Sequence, residues 1–131
     1  MLALDTNVLV RFLVQDELRQ FDRARRLIQR EAERGEPILI SLLVLLETEW
    51  VLRSRYTLTK DEIAKAFSGL LDAFELQFED EASVEQALHL WHDSNAEFAD
   101  CLMGAHHRSL GCLATASFDA RARKLPHFVS L

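Results

Sequence analysis

Met1-Leu2-Ala3-Leu4-Asp5-Thr6-Asn7-Val8-Leu9-Val10-Arg11-Phe12-Leu13-Val14 is the stretch whose reading decides the fold. Its first four residues are an uninterrupted apolar run, the pattern of a buried strand. Asp5 closes that run. From Thr6 the apolar residues fall at helical spacing instead, with Val8, Leu9, Phe12 and Leu13 on one side, so a helix over Thr6 to Val14 follows the strand directly. A strand that turns at once into a helix, with an acid at the joint, is the opening of an α/β unit.

The rest of the chain repeats the alternation. A second helix is predicted from about Glu17 to Glu33, with Phe21, Ala24, Leu27 and Ile28 at helical spacing; Gly35 stops it and Pro37 starts a strand through Ser41. A third helix runs from Leu42 to about Arg55. Thr59-Lys60-Asp61-Glu62 is a capping box for a fourth, whose apolar face is Ile63, Ala66, Phe67, Leu70, Leu71 and Phe74. Leu76 to Glu79 alternates as a short strand. Helices from about Ser83 to Ser94 and from Phe98 to Ser109 follow, the latter ending at Gly111. The apolar run Cys112 to Phe118 reads as a buried late strand, then comes a short helical segment, and Phe128 to Leu131 adds an edge strand. Such alternation predicts a three-layer α/β/α domain around a parallel sheet. At 131 residues, without repeat or linker, the chain is read as one domain, 1–131.

Composition sets further bounds. With 49% apolar and 27% charged residues the chain has the make-up of an ordinary globular protein. Its net charge of −6 does not favour a polyanion, so a nucleic acid would need cations or a local basic patch to approach. Cys101 and Cys112 sit in apolar runs and read as buried thiols rather than a disulfide. No basic leader precedes an apolar segment and no stretch is long enough to span a bilayer, which predicts a cytoplasmic protein with no membrane partner. The histidines carry no metal-ligand spacing. Trp50 and Trp91 read as core, and Arg19, Arg23, Arg26 and Arg30 as a solvated stripe on the second helix.

Four acids concentrate the chemistry. Asp5 and Asp119 each end a strand, Glu47 lies within the apolar Leu42 to Leu46 region of the third helix, and Asp100 lies in Phe98-Ala99-Asp100-Cys101-Leu102-Met103. Carboxylates in apolar segments are costly unless paired or bound to a cation. Oxygen-only donors suit Mg²⁺ or Mn²⁺. In parallel sheets, ligands bind outside the carboxyl ends of the strands, where strand order reverses. Glu97 precedes Asp100 by three residues, and Gly104 follows it by four on the same helical face, which would leave room for a substrate backbone. Asn7 would hold a carboxylate or a water; Thr115 and Ser117 precede Asp119 as accessory residues, and Ser117 would orient that acid or a water. Either strand-end acid alone reads as a helix cap. Together with Glu47 and Asp100 they read as a metal site.

The segments Leu4-Asp5-Thr6-Asn7, Ser41 through Leu46-Glu47-Thr48, Glu97-Phe98-Ala99-Asp100 and Thr115-Ala116-Ser117-Phe118-Asp119, in this order and at these separations, resemble the PIN-domain family of metal-dependent ribonucleases, in particular the VapC toxins of toxin–antitoxin pairs. The resemblance implies a parallel sheet of four to five strands in the order 3-2-1-4, the fifth at an edge. It implies an endoribonuclease using Mg²⁺ or Mn²⁺, with Asp5, Glu47, Asp100 and Asp119 as metal-binding and catalytic residues. It also implies a homodimer and a VapB-type antitoxin whose basic tail lies across the acidic crevice. Glu97 stands where close relatives often carry Asp.

Two other functions compete. An aspartate-based phosphatase of the haloacid dehalogenase type also opens on a strand ending in Asp, but needs a second Asp where this chain has Asn7. A non-catalytic PIN-like interaction module would not need four acids.

Overall fold

A computed structural model describes all residues, Met1–Leu131, which divide into two compact units, residues 1–79 and 80–131.

The first unit begins with an extended segment, residues 2–4, followed by helix α1 (Thr6–Val14), α2 (Leu18–Glu33), strand β1 (Ile38–Ile40), α3 (Leu42–Ser54), α4 (Lys60–Leu71) and strand β2 (Leu76–Phe78). β1 pairs in parallel with β2, Ile38 facing Leu76 and Ile40 facing Phe78. On its other side Leu39 bonds both to Leu2 O and, through its own carbonyl, to Leu4 N. The spatial order is therefore residues 2–4, β1, β2, all parallel. The first strand is shorter and less covered than its apolar sequence predicts. Leu4 is buried, but Met1 and Leu2 are exposed. Its pairing rests on a single bridge, because the chain turns into α1 immediately at Asp5.

α1 packs on α2 and α3, α2 on β1, and α4 on α3 and β2. Leu9, Ile38, Ile40, Leu45, Leu52, Ile63 and Phe67 are fully enclosed and form this core. Each helix start is chemically specified. Asp5, Glu17, Ser41 and Thr59 all accept a backbone N–H two or three residues into their helix. The reciprocal Thr59–Glu62 capping box is formed as its sequence predicts. Gly35, at φ +74°, takes the left-handed position that ends α2.

The second unit contains α5 (Glu81–His92), α6 (Phe98–Ser109), strand β3 (Thr115–Ser117), a 3-10 turn (Ala122–Lys124) and strand β4 (Phe128–Ser130). α5 starts two residues earlier than predicted. Asp80, itself left-handed at φ 54°, caps it through Ser83 N and also accepts from His106 Nδ1 at 2.7 Å and Ser109 Oγ at 3.0 Å. Burial acts to raise the Asp80 carboxyl, but those hydrogen bonds prevail and hold it below the ordinary carboxylate value. α5 lies against α6, with the Trp91 and Phe98 rings 5.1 Å apart. β3 pairs in parallel with β4, Thr115 facing Phe128 and Ser117 facing Ser130.

Three expectations change here. The late strand covers only Thr115–Ser117; residues 112–114 lie outside it, and Leu113 and Phe118 are exposed rather than buried. Cys101 is buried, but Cys112 is exposed; both are thiols. Gly104 does not leave room for a substrate. A Cβ there would stand 2.5 Å from Phe128 Cε1, so the missing side chain is what lets the Phe128 ring seat on α6. No helix is long and apolar enough to cross a membrane. The α/β class stands. The single sheet of four to five strands is present only as the two parallel groups described, one in each unit.

Candidate functional site

In the first unit, the strands deliver polar groups at their carboxyl ends, as an open parallel sheet should. Asp5 follows residues 2–4, Ser41 follows β1, and Glu79 follows β2. Asp5 takes an extended backbone (φ −88°, ψ 172°) and its Oδ1 accepts the Val8 N–H at 3.0 Å. It is thus the N-cap of α1, with its second oxygen free of any protein donor. The buried Thr6 hydroxyl donates a hydrogen bond to Glu47 Oε1, which ties the start of α1 to the middle of α3. Glu79 caps α3 by accepting the Leu42 N–H at 2.8 Å, alongside the Ser41 hydroxyl on Val44 N at 3.3 Å. Asn7 is exposed and lines the same groove as Asp5.

In the second unit, Glu97, Asp100 and Asp119 share one neighbourhood. The Asp100 carboxyl is pushed up first by burial, then by the negative charges of Asp119 and Glu97, with Arg121 opposing. Asp119 is held below the ordinary carboxylate value by the N–H groups of Arg121, at 2.8 Å, and Ala122, at 3.3 Å. Its side chain therefore closes the turn that leads into the 3-10 segment, and it stays ionised. Ser117 Oγ accepts the Asp119 N–H at 3.0 Å, which fixes the backbone of that acid. Arg121 reaches Glu97 at 3.7 Å. Thr115 turns away to His107, its hydroxyl 2.8 Å from Nδ1.

The premise that these acids are buried is corrected. Asp5, Glu47, Asp119 and Glu97 are exposed, and only Asp100 is half-buried. The reason is local. Asp5 caps α1, Asp119 sits in the turn after β3, and Glu47 faces outward from α3, whereas the buried acid of that helix is Glu49, paired with Arg53 at 2.8 Å. Trp50 likewise points outward and is half exposed, while Trp91 is core. Neither unit by itself holds three acids close enough to ligate an ion unaided. Within each unit the donors nevertheless suit a hard divalent cation. They are carboxylate oxygens, and Asp100 sits among charges that repel it.

Sequence reasoning missed several contributors. Thr6 gave no signal beyond its place after Asp5. Glu79 could have been suspected as an acid closing a strand. Arg19, Arg23, Arg26 and Arg30 are exposed, as a solvated stripe should be, but the sequence does not show that Arg23, Arg26 and Arg30 also line a groove of about 620 Å³ together with Asp5, Asn7 and Arg11.

A family model described as PIN domain matches residues 2–127, a span that includes all four acidic positions. A VapC ribonuclease of Aquifex aeolicus (strain VF5) is 24% identical over 125 residues, covering 95% of this chain and 92% of that relative. With a match that covers residues 2–127 and so runs through both units, the chain belongs to the PIN domain family.

Proposed function

We infer that this PIN protein is an endoribonuclease that hydrolyses RNA phosphodiester bonds with Mg²⁺ or Mn²⁺, and that it is the toxin of a VapBC-type pair. The carrying observation is the half-buried Asp100, which the negative charges of Asp119 and Glu97 oppose and which a divalent cation would relieve. Residues 1–131 are read as one PIN domain whose strands, counted with residues 2–4 as the first, β1 as the second, β2 as the third and β3 as the fourth, lie in the order 3-2-1-4, with β4 as the fifth. The 3-2-1 order within the first unit and the β3–β4 pair within the second support that reading.

Asp5, Asp100 and Asp119 would hold the ion, with Glu47 as a direct or water-mediated fourth ligand. When bound, the ion would polarise the scissile phosphate and offset the charge that grows on it. Thr6 donates to Glu47 and so fixes the carboxylate that would take a proton from the attacking water. Ser117 keeps Asp119 in place through its backbone. Asn7 lies beside Asp5, where its amide would position substrate. Thr115 and Glu97 remain accessory, the first supporting His107 and the second steadying Arg121. With water as nucleophile, end-labelled RNA should yield 5′-phosphate and 3′-hydroxyl termini. A 2′,3′-cyclic phosphate would instead make the RNA 2′-hydroxyl the nucleophile and overturn the reading. The PIN match gives no support to a haloacid dehalogenase-type phosphatase, and a purely binding module would show no Mg²⁺-dependent cleavage.

The name of the Aquifex relative, a VapC ribonuclease, supports RNA as the substrate; an antitoxin partner and a cytoplasmic site of action belong to the same proposal. A basic antitoxin tail would offer the carboxylates an opposite charge and so inhibit. Leu43 and Trp50 are exposed on α3, one heptad apart and therefore on one face. They support a homodimer through α3, since exposed apolar faces of this kind mark interfaces. Light scattering should report a dimer, and Leu43→Asp with Trp50→Asp a folded monomer. A monomeric wild type at micromolar concentration would remove the dimer and leave the nuclease standing.

A further inference from the structure

The acidic chain carries one local reversal of charge. Its net charge is −6, yet α2 alone contains five arginines. α1 packs on α2, and the groove there is lined by Arg11, Arg23, Arg26 and Arg30, with Asp5 as its one acid. These cations are not equally engaged. Arg11 is fixed by Gln20 Oε1 at 2.8 Å, the Tyr56 hydroxyl at 2.7 Å and Asp16 at 3.4 Å. Arg26 shares Asp22 with Arg25. Arg23 and Arg30 have no carboxylate partner at all, and Arg23 and Arg30 side chains stand in solvent. Leaving two guanidinium groups without counter-charge, in a chain with a surplus of acids, is what an anion site requires.

Geometry identifies the anion. Arg23, Arg26 and Arg30 advance along the helix axis in steps of about 4.5 and 6 Å. A single bound phosphate would use one such position; a row of them suits a strand that repeats its phosphates, tracked by a basic groove. The same groove is lined by Asn7 and by Asp5, the acid proposed for the cleavage site. An acidic peptide would match the charge equally, but nothing would then explain why the groove runs to Asp5.

We propose that the α1–α2 groove is the track for the sugar–phosphate backbone of single-stranded RNA, with Arg23 and Arg30 as its free phosphate contacts and Arg11 as a fixed one, leading the strand to Asp5. This rests on the ribonuclease reading and adds the path by which substrate enters. Arg11, Arg23 and Arg30 are binding residues and take no part in bond cleavage.

The test is fluorescence anisotropy with a labelled single-stranded 12-mer RNA, in Mg²⁺, on full-length Asp100→Asn protein so that the probe survives. Arg23→Gln/Arg30→Gln is compared with Arg19→Gln/Lys65→Gln, which removes the same charge from exposed positions outside the groove. The groove pair should weaken binding about tenfold and reduce the slope of log K against log salt by about 1.4, the value for two lost contacts on a single strand. The control pair should change affinity less than twofold. Arg23→Lys/Arg30→Lys should retain most of the slope, since phosphate tracking needs the charge first. Equal losses from both pairs, or none from the groove pair, would overturn the track; so would poly-glutamate binding the groove as tightly as the RNA. Wild-type cleavage of the same RNA, assayed in parallel, separates the two failures. Cleavage with an indifferent groove sinks the track alone, whereas no cleavage and no binding sinks the ribonuclease reading with it.

Discussion

Asp100→Asn should abolish Mg²⁺-dependent RNA cleavage and at the same time raise the melting temperature of the metal-free protein. The two effects share one cause. Asp100 is half-buried, and burial together with Asp119 and Glu97 makes its ionised form unfavourable. A carboxyl raised in the folded state contributes stability only below the ordinary carboxylate range and loses it as pH rises through the folded value. At neutral pH the native side chain therefore carries a cost, which the neutral isostere removes. The gain should be modest, roughly 1–3 °C, because the group is only half-buried and Arg121 already opposes the repulsion. The catalytic loss should be much larger. Disturbing groups that merely orient metal ligands costs about 10–100-fold, so a ligand itself should cost more than about a hundredfold. Thermal shift with Mn²⁺ completes the test, since the wild type should gain stability and Asp100→Asn should not. Asp5→Asn is the matched control for folding. Asn serves as an N-cap as well as Asp does, so α1 should persist while cleavage is lost. Wild-type cleavage by the Asp5→Asn/Asp100→Asn protein in EDTA would end the metal reading.

Gly104→Ala should destabilise the protein although alanine is the better helix former. Helix propensity favours the substitution by about 1 kcal/mol. Against that, the new Cβ would lie 2.5 Å from Phe128 Cε1 and 3.2 Å from Cζ, and overpacking of this kind costs about 1–3 kcal/mol. The ring is attached to β4, so moving it disturbs the β3–β4 pair. A net loss of about 1 kcal/mol would lower the melting temperature by roughly 3–6 °C in a chain of this size. The decisive measurement is the same substitution in a Phe128→Ala background. With the ring gone, only propensity remains, and Gly104→Ala should become stabilising. A stabilising Gly104→Ala in the wild-type background would show that Phe128 gives way freely.

Where local chemistry dictates structure, the sequence was legible. α6 runs from Phe98 to Ser109 as its periodicity predicts, α4 begins at its capping box, and Gly35 ends α2. Where the outcome depends on what lies opposite, it was not. The run Cys112 to Phe118 is apolar enough for a buried strand, yet only three of its residues pair. α3 is apolar nearly all round, so nothing in its sequence says that Trp50 faces out while Glu49 is buried against Arg53. The exposure of the acidic positions was not legible either. Asp5 caps α1 and Asp119 holds a turn through backbone N–H groups, and both places are solvated by nature. The arginine row was visible as a stripe. Its role as a groove wall exists only once α1 lies against α2.

The bond from Tyr56 to Arg11 has a use of its own. Tyr56 is the chain's sole tyrosine, and its hydroxyl joins Arg11 on the groove wall to Asp16. Growth on 3-fluorotyrosine would therefore place one ¹⁹F nucleus in the whole molecule, next to a groove arginine, with no mutation required. Its resonance would report occupancy of that wall directly, in a spectrum with a single line.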